Sequence, residues 1–315
     1  MNIADIPPLF GINGITDIVP LSSGHINSTF RVTAAEGEFI LQSLNRNVFR
    51  SPDAVMGNIF AVEKAFSTGT DERVGVPGYL TCGGRNFTEY CGEVWRMYRF
   101  VRPEEASGER EYLAGLAFGT FIRNTAGLTV RNTVDGYHDF DRYISRLRTL
   151  PCNEVPELCG ELLELGETLG KVFSPLPKRV IHGDAKLDNV ITGRKCTVID
   201  LDTVMNGYAA IDFGDLVRSL GTTDTNMIRS AAEGFAEGLN GILSHAETES
   251  LYFGILWTTG ELAARYLIDY ITGEGYFIGK TQEQRLARAK DLAGQLHEFK
   301  RTETEIKGII QSIWR

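Results

Sequence analysis

The sequence lacks any apolar run near the roughly 18 residues that a membrane-spanning helix needs. Its N-terminal stretch "MNIADIPPLFGINGITDI" carries Asp5 and lacks the basic segment followed by an apolar segment that is typical of a signal peptide. We therefore expect a cytoplasmic protein that has no membrane partner.

Positive charge is also scarce. Lys and Arg number 32 against 41 Asp and Glu, which gives a formal net charge of −9. Nucleic-acid binding needs a basic surface, so this balance argues against DNA or RNA as a partner. It suits a neutral or cationic small substrate, or an anionic one carried with a metal ion.

Cysteine is sparse, and no pair has the C-x-x-C spacing of a zinc or redox motif. An odd number of cysteines in a long chain predicts reduced thiols and no zinc site. The five cysteines are Cys82, Cys91, Cys152, Cys159 and Cys196.

What the sequence does contain is enough chain, at 315 residues and 43% hydrophobic content, for one large domain or two lobes. In its first third, "STFRVTAAEGEFILQSL" predicts two strands around a turn at Glu36-Gly37. Ser51 and Pro52 then predict the start of a helix, inserted into an antiparallel sheet. Helical spacing dominates after about residue 110. We predict an α+β protein, with a β-rich N-terminal lobe over residues 1–101 and a larger, mostly helical C-terminal lobe over residues 102–315.

The stretch "RVIHGDAKLDNVITGRKCTVIDLD", residues 179–202, gathers carboxylates and an amide between short apolar runs. Phosphoryl transfer needs a carboxylate to accept the proton of a hydroxyl, and oxygen ligands for Mg²⁺. Asp184 and Asn189 have the D-x-x-x-x-N spacing of a kinase catalytic loop, and Asp200 follows a β-like run. The alternative is that these aspartates are turn and cap residues, but two motifs in the expected order favour phosphoryl transfer.

On these residues the sequence resembles the aminoglycoside phosphotransferase/choline kinase family, which has a bilobal protein-kinase-like fold. "HGDAKLDN" meets the family motif H-G-D-x-x-x-x-N, and "IDLD" meets I-D-x-[DE]. The resemblance implies ATP and Mg²⁺ as cofactors, and Asp184 as the catalytic base that also binds the acceptor hydroxyl. The metal ligands that it implies are Asn189, Asp200 and Asp202, although Asp202 alternatively only holds the following loop.

Two further residues near the motif are open to two interpretations each. Lys186 is expected near the γ-phosphate, with a solvated loop lysine as the alternative. His182 is expected to brace the loop rather than to take part in the chemistry. The "DFG" at residues 212–214 lies beyond the strand end that already supplies the metal ligand, so we interpret Asp212 as structural.

The resemblance places a nucleotide against the N-terminal lobe. The small residues Ser22, Ser23 and Gly24 are expected to let backbone amides approach phosphates. Phe100 and Val101 lie where a hinge contacts adenine, although a merely buried strand is the alternative. The strand "EFILQSL" departs from the kinase pattern, because Gln42 stands where the phosphate-binding lysine is expected. That leaves Arg46 and Arg50 as candidate phosphate ligands, and it leaves the role of Glu63, the usual partner of that lysine, in doubt.

Within the family, "SSGHINSTFRV", "FILQSLNRNVF" and "ARYLIDYITGEGYF" resemble the N-acetylhexosamine 1-kinases, which phosphorylate the anomeric hydroxyl of N-acetylglucosamine or N-acetylgalactosamine. That resemblance implies that His25, Arg265 and Tyr276 bind the sugar. The alternatives are a turn for His25 and a surface salt bridge with Asp269 for Arg265. His138, in "DGYHDF", is a weaker candidate for the same cleft.

The resulting hypothesis is an ATP- and Mg²⁺-dependent kinase of an N-acetylhexosamine. A second hypothesis keeps the kinase and exchanges the substrate for choline, homoserine or an aminoglycoside, and the acidic composition would tolerate the last of these. A third is an inactive kinase-like binding module. It would have been supported by the loss of Asp184, Asn189 or Asp200, and all three are present.

Overall fold

The computed structural model describes residues 2–21, 26–69, 71–105 and 108–314. A five-stranded antiparallel sheet forms from the first third of the chain, in the order β1-β2-β3-β6-β5. Its strands are β1 (Asp17–Leu21), β2 (Ser28–Ala34), β3 (Gly37–Ser43), β5 (Thr88–Tyr90) and β6 (Glu93–Arg99). The predicted hairpin is confirmed, since Ala34 of β2 pairs with Gly37 of β3 across the turn.

The predicted inserted helix is α1 (Pro52–Ser67), which lies between β3 and the later strands of the sheet. Ser51 caps it, because its Oγ accepts a hydrogen bond from the Ala54 N–H at 3.4 Å. The apolar face that includes Ile59 is fully buried. This face packs into the core of the larger, helical part of the chain, so α1 joins the sheet to that core.

The remainder of the described chain is mostly helical, which confirms the α+β prediction. Its helices are α2 (Arg110–Asn124), α3 (Phe140–Leu147), α4 (Pro156–Phe173), α5 (Ala209–Ser219), α6 (Thr225–Leu239), α7 (His245–Thr272), α8 (Gln282–Arg301) and α9 (Glu303–Ile313). The longest, α7, begins with a capping box between Ser244 and Glu247 and ends at Gly273, whose φ of 67° suits glycine.

Two small sheets connect the helical part to the site. One pairs β10 (Met205–Gly207) with β7 (Arg179–Ile181), and the other has the order β4-β9-β8, with β4 (Val74–Gly75), β8 (Val190–Ile191) and β9 (Cys196–Val198). Strand β4 comes from the first third of the chain and pairs in parallel with β9. The two parts predicted as lobes therefore share this sheet.

The apolar interior is divided between two clusters. The smaller one covers one face of the five-stranded sheet and includes Phe39, Trp95 and Met97, covered by Ile6 and Phe10 of the N-terminal segment. The larger one joins α1 to the helices of the C-terminal part.

One prediction about the cysteines is wrong. Cys152 and Cys159 form a disulfide, because the loop before α4 brings their Cα atoms to 6.3 Å although seven positions separate them in sequence. Cys82, Cys91 and Cys196 are free. Within the described ranges, no helix is both long and apolar enough to cross a membrane.

Candidate active site

The loop that carries Asp184 begins at the end of β7, and a side chain of α5 holds it through hydrogen bonds. The Asp212 carboxylate of α5 accepts hydrogen bonds from the backbone N–H groups of His182 at 2.8 Å and Gly183 at 2.9 Å. Burial raises the pKa of Asp212 to about 6. Asp212 therefore supports the loop, as interpreted from the sequence. Gly183 is required here because its φ is 78°, and a Cβ would lie 2.6 Å from the Thr203 carbonyl oxygen.

The imidazole of His182 is fully buried and bonded to backbone on both sides. Its Nε2 lies 2.9 Å from the Ile199 carbonyl oxygen, and its Nδ1 lies 3.2 Å from the Asp184 backbone nitrogen. Its ring packs edge-on against Phe118 and Phe121. Since both nitrogens contact backbone, this geometry favours the bracing role.

Asp184 is the acceptor at the centre of the loop. Its Oδ2 accepts hydrogen bonds from the Lys186 ammonium at 2.7 Å and from Asn189 Nδ2 at 3.0 Å. Burial raises the pKa of Asp184, but the Lys186 ammonium and these hydrogen bonds lower it more, so the pKa lies below its ordinary value. The carboxylate is thus ionised at neutral pH and can accept a hydrogen bond from a hydroxyl.

The hairpin of β8 and β9 brings Asn189 and Asp200 together. Asn189 directly precedes β8, Asp200 lies two residues after β9, and the Ile199 N–H donates to the Asn189 carbonyl oxygen at 2.9 Å. Asp200 has a left-handed φ of 61°, a conformation that is uncommon for non-glycine residues and that Asp tolerates better than most. Burial, with the nearby carboxylates of Asp202 and Asp184, raises the pKa of Asp200 to about 7.

These residues fit a divalent cation bound jointly with phosphates. Within the described ranges no group of three His, Cys, Asp or Glu side chains could hold a metal by itself. Asn189 Nδ2 donates hydrogen bonds to Asp184, which leaves its Oδ1 as a hard oxygen ligand. Asp200 is a buried carboxylate raised in pKa by its acidic neighbours, and a cation would relieve that repulsion. Asn189 and Asp200 would therefore hold Mg²⁺ with the oxygens of a nucleotide.

Asp202 is engaged differently. Arg96 of β6 donates to both of its carboxylate oxygens, with a distance of 3.0 Å from Nη2 to Oδ2. Asn27 Nδ2 donates to Oδ2 as well, at 2.7 Å. The Asp202 side chain is 2% exposed. Because both oxygens already have donors, this geometry favours the second role considered for Asp202, that of holding its loop.

The residues predicted to bind the nucleotide are only partly described. Ser22, Ser23 and Gly24, together with the predicted sugar ligand His25, lie outside the described residues. Gln42 lies in β3 and bonds within the protein, since its Oε1 accepts from Arg96 and its Nε2 donates to Thr29 Oγ1 at 3.1 Å.

The predicted hinge contacts follow the end of β6. Phe100 and Val101 are both half-buried there. The Phe100 N–H donates to the Glu38 carbonyl oxygen at 3.0 Å, so the sheet already uses that donor. Glu63, whose role the sequence left in doubt, accepts from the Tyr79 backbone N–H at 2.7 Å.

A cavity of about 1580 Å³ opens beside the catalytic loop. Asp184 and Lys186 line it, and so do Arg265 and Tyr276 from α7 and the segment that follows. The structure thus brings the predicted base and two predicted sugar ligands to one cavity. Among the described residues, its lining does not include the following predicted site residues: Gln42, Phe100, Val101, Asn189, Asp200 and Asp202.

Arg265 lies in a cage of aromatic side chains. Its guanidinium carbon lies 5.1 to 5.9 Å from four ring centroids, and its Nη2 donates to the Tyr276 hydroxyl at 2.6 Å. The rings belong to Tyr137, Tyr143, Tyr276 and Phe277. The alternative of an Arg265–Asp269 surface salt bridge is wrong, because Asp269 pairs with Arg285 at 3.0 Å. Asp269 also accepts the Tyr276 and Phe277 backbone N–H groups, which fixes this segment against α7.

His138 joins the Arg265 region to the catalytic loop. Its Nδ1 lies 3.1 Å from Glu261 Oε2, and its Nε2 lies 2.8 Å from the Gly183 carbonyl oxygen. Burial lowers the pKa of His138, but the Glu261 carboxylate raises it more, to about 9. The imidazolium thus bridges Glu261 of α7 to the residue before Asp184.

The sequence reasoning did not single out Arg96, Asn27 or Glu261. A signal existed for Glu261, which lies one helical turn before Arg265 in the most apolar helical stretch of the chain, where an isolated charge needs a partner. Arg96 likewise interrupts the apolar run "VWRMYRFV". No pattern in the sequence pointed to Asn27.

Comparisons with known proteins agree with the fold described above. The Phosphotransferase enzyme family matches residues 17–247. The chain is similar to the structure of a microcompartment-associated aminopropanol kinase, with 16% identity, a TM-score of 0.70 and coverage of 97% of this chain and 99% of that chain. It is similar to a choline/ethanolamine kinase family protein from Mesorhizobium loti, with 18% identity, a TM-score of 0.64 and coverage of 98% and 97%.

A third similar structure is a spectinomycin phosphotransferase in complex with ADP and spectinomycin, with 12% identity, a TM-score of 0.56 and coverage of 96% and 94%. At these identities the likeness concerns the fold. It extends over nearly the whole of each chain, in agreement with the kinase-like α+β architecture.

Proposed function

Because the chain belongs to the Phosphotransferase enzyme family, we propose that it is an ATP- and Mg²⁺-dependent kinase that phosphorylates the anomeric O1 hydroxyl of N-acetylglucosamine or N-acetylgalactosamine. One observation carries the phosphoryl-transfer part, namely the ionised Asp184 between Lys186 and Asn189 on the wall of the large cavity. The sugar part rests on Arg265 and Tyr276 in the same wall.

In this proposal Asp184 orients the sugar hydroxyl and receives its proton as the phosphoryl group is transferred. Lys186, now paired with Asp184 at 2.7 Å, is near enough to place a positive charge beside the γ-phosphate. Mg²⁺, when held by Asn189 and Asp200, neutralises charge on the phosphates. We expect the nucleotide to bind between residues 1–101 and residues 102–315. The residues proposed from the sequence to contact it from the N-terminal part are Ser22, Ser23, Gly24, Gln42, Phe100 and Val101.

The occupant of the aromatic cage supports a sugar as the acceptor. A cage of this kind binds quaternary ammonium groups when it is empty, as choline would require. Here the guanidinium of Arg265 fills it, so the cavity offers a positively charged donor at this point. Hydroxyl and acetamido oxygens accept hydrogen bonds from such a donor, whereas a cationic substrate is repelled. His25 is proposed as a further sugar ligand from sequence resemblance.

One observation favours the alternative acceptors, an aminoglycoside above all. Asp135, Asp139 and Asp141 line the cavity farther along its wall and would attract an ammonium group. Choline and homoserine are the smaller alternatives of the same class. An inactive binding module is disfavoured, because Asp184, Asn189 and Asp200 are all present and grouped in one site.

The experiment that tests the proposal is phosphorus NMR of parallel reactions with ATP and Mg²⁺. The acceptors are N-acetylglucosamine, N-acetylgalactosamine, choline, homoserine and kanamycin, one in each tube. A new sugar 1-phosphate doublet is expected in the first two tubes. ATP consumption in only one of the other tubes would retain the kinase and replace the sugar, and no turnover in any tube would contradict the proposal.

The assigned base is tested with a matched pair in one loop. Asp184→Asn should lower kcat by a factor of about 1,000 or more while the protein stays folded, because the amide cannot accept the proton. Asp188→Asn is the control, since that carboxylate is 80% exposed and pairs with the surface residue Arg110. Equal kcat values for the two variants would remove Asp184 from the base role.

A further inference from the structure

Arg96 is a fully buried cation in the middle of the small-lobe sheet. It lies in β6 directly opposite Gln42 of β3, and its side chain is 0% exposed. Buried arginines need partners for all their donors, because an unpaired charge in the interior is strongly unfavourable. The partners of Arg96 therefore reveal what this charge does.

Oxygen atoms of two side chains from different parts of the chain accept hydrogen bonds from the guanidinium. Gln42 Oε1 accepts from Nε at 3.0 Å and from Nη2 at 2.8 Å. Asp202 accepts from Nη1 and Nη2 in a bidentate pair. The guanidinium thus links β3, where Gln42 replaces the expected lysine, to the segment that carries Asp200 and Asp202.

The Asp202 end of this bridge is tied to several elements. Asn27, just before β2, donates to Asp202 at 2.7 Å, and its Oδ1 accepts the Asn45 N–H at 3.0 Å. Thr133 Oγ1 donates to the Asp202 carbonyl oxygen at 2.6 Å. Asp200 lies only two residues upstream, so fixing Asp202 also fixes the metal-ligand position.

We propose that Arg96 positions the Asp200–Asp202 segment from the small lobe, with Gln42 as its orienting partner, so that Asp202 is an ion-pair partner of Arg96 and not a metal ligand. This inference rests on the proposed Mg²⁺-dependent phosphoryl transfer. It explains the residue at position 42. A lysine there would place a second cation within hydrogen-bond distance of Arg96, whereas the glutamine oxygen accepts two of its N–H groups.

The test moves the cation from one strand to the other. Arg96→Met should lower kcat by about 100-fold, because a small displacement of a catalytic segment has an effect of this size. Adding Gln42→Lys to Arg96→Met should recover at least about tenfold of that loss, since the new ammonium can reach Asp202. Arg99→Met is the matched control, because Arg99 is an exposed arginine of the same strand, and its kcat should stay at the wild-type value.

A second readout separates positioning from a general loss of structure. Calorimetric titration of Mg²⁺ in the presence of ADP should give a weaker apparent affinity for Arg96→Met than for the wild type, because the Asp200 ligand is displaced, and adding Gln42→Lys should restore part of that affinity. A general loss of structure would instead leave both kcat and Mg²⁺ affinity low in the double variant. A kcat within twofold of wild type, an unchanged Mg²⁺ affinity, or a double variant no better than Arg96→Met would overturn the proposal.

Further variants keep the test decisive if Arg96→Met does not fold. Arg96→Lys retains the charge without the bidentate geometry and should lower kcat by about tenfold. Gln42→Lys should lower the melting temperature more than Gln42→Met, because only the lysine places a second cation beside Arg96. The absence of that difference would overturn the proposal even if no acceptor is phosphorylated. Loss of Mg²⁺-dependent ADP binding in the wild type would instead contradict the proposed function.

Discussion

Arg96, which pairs with Asp202, and Arg265, in the wall of the cavity, are held in opposite ways. Arg96 is 0% exposed and forms a bidentate pair with Asp202. Arg265 is 13% exposed, and its contact with the Glu261 carboxylate, at 3.9 Å, is long. Aromatic rings and the Tyr276 hydroxyl surround it instead. The charge of Arg96 is thus neutralised within the protein, whereas much of the charge of Arg265 is left for a ligand.

The two arginines differ because the carboxylate nearest to each of them has different other partners. Among the described residues, Arg96 is the cation that pairs with Asp202, and the other side-chain donor to that carboxylate is the neutral amide of Asn27. Glu261 Oε2 bonds both to His138 and to the Trp257 indole N–H at 2.9 Å, whereas Oε1, which faces Arg265 at 3.9 Å, has no hydrogen-bond partner among the described residues. The negative charge of Glu261 is therefore shared between His138 and Arg265, which leaves part of the Arg265 charge available to the cavity.

The largest expected effect comes from removing the partner of Arg96. Asp202→Ala should lower the free energy of unfolding by about 3–5 kcal/mol, because it leaves a buried guanidinium unpaired. Urea denaturation measures this. The paired control is Arg96→Met with Asp202→Leu, which removes both charges and should lose less than Asp202→Ala alone. A loss below about 1 kcal/mol for Asp202→Ala would mean that the pair contributes little.

The next effect concerns binding rather than stability. Arg265→Met should change the free energy of unfolding by only about 1 kcal/mol, the size of a cation–π contact. It should raise the acceptor KM by about 30-fold, because charge-assisted hydrogen bonds of about 2 kcal/mol are lost. Steady-state kinetics with ATP and acceptor varied in turn measures both KM values. Arg146→Met, on the surface of α3, is the control. Equal increases in the two KM values would indicate a structural role for Arg265.

The smallest expected effect is on the pH dependence of stability, and it concerns His138. Its pKa rises from about 6.5 in the unfolded chain to about 9 in the folded protein. A raised pKa means that the folded state binds the proton more tightly, so the stabilisation is complete below about pH 6.5 and is lost as the pH rises through about 9.

That stabilisation is measured as the difference between two unfolding profiles. His138→Gln should remove the fall in stability between pH 7 and pH 10 relative to wild type, measured by urea denaturation at several pH values. The carboxylates that act on this ring, Glu261 of α7 and Asp215 of α5, are present in both proteins, so their contributions largely cancel in the difference. Parallel profiles for the two proteins would show that His138 is neutral in the folded state.

The centre of the site was predictable because it is local in sequence. Asp184 and Asn189 share one loop, and Asn189 and Asp200 flank one short hairpin, so their spacing already determines that they meet. The helix start at Ser51 and the hairpin turn at Gly37 depend on neighbouring residues in the same way. These predictions needed only the preferences of single residues and the period of a helix or strand.

Two other predictions fared differently. The Arg265–Asp269 pair has ideal helical spacing, but Asp269 is taken by Arg285 and by two backbone amides of the following segment. The cysteines were expected to be reduced, yet a loop brings two of them together. For Arg265 a tertiary neighbour outcompeted the local rule, whereas the two cysteines are only seven positions apart and meet through the local geometry of the chain before and at the start of α4.

The sequence by itself determined that Asp184, Asn189 and Asp200 lie close together, that a β-rich part precedes a mostly helical part, and that position 42 carries no lysine, because each depends on residue types at short range. Only the tertiary structure decided how the charges are shared. Arg96 and Asp202 are 106 positions apart, and His138 and Glu261 are 123 apart. Burial makes each of these pairings obligatory, since a charge removed from water needs its partner, and only the packed chain determines which partner is within reach.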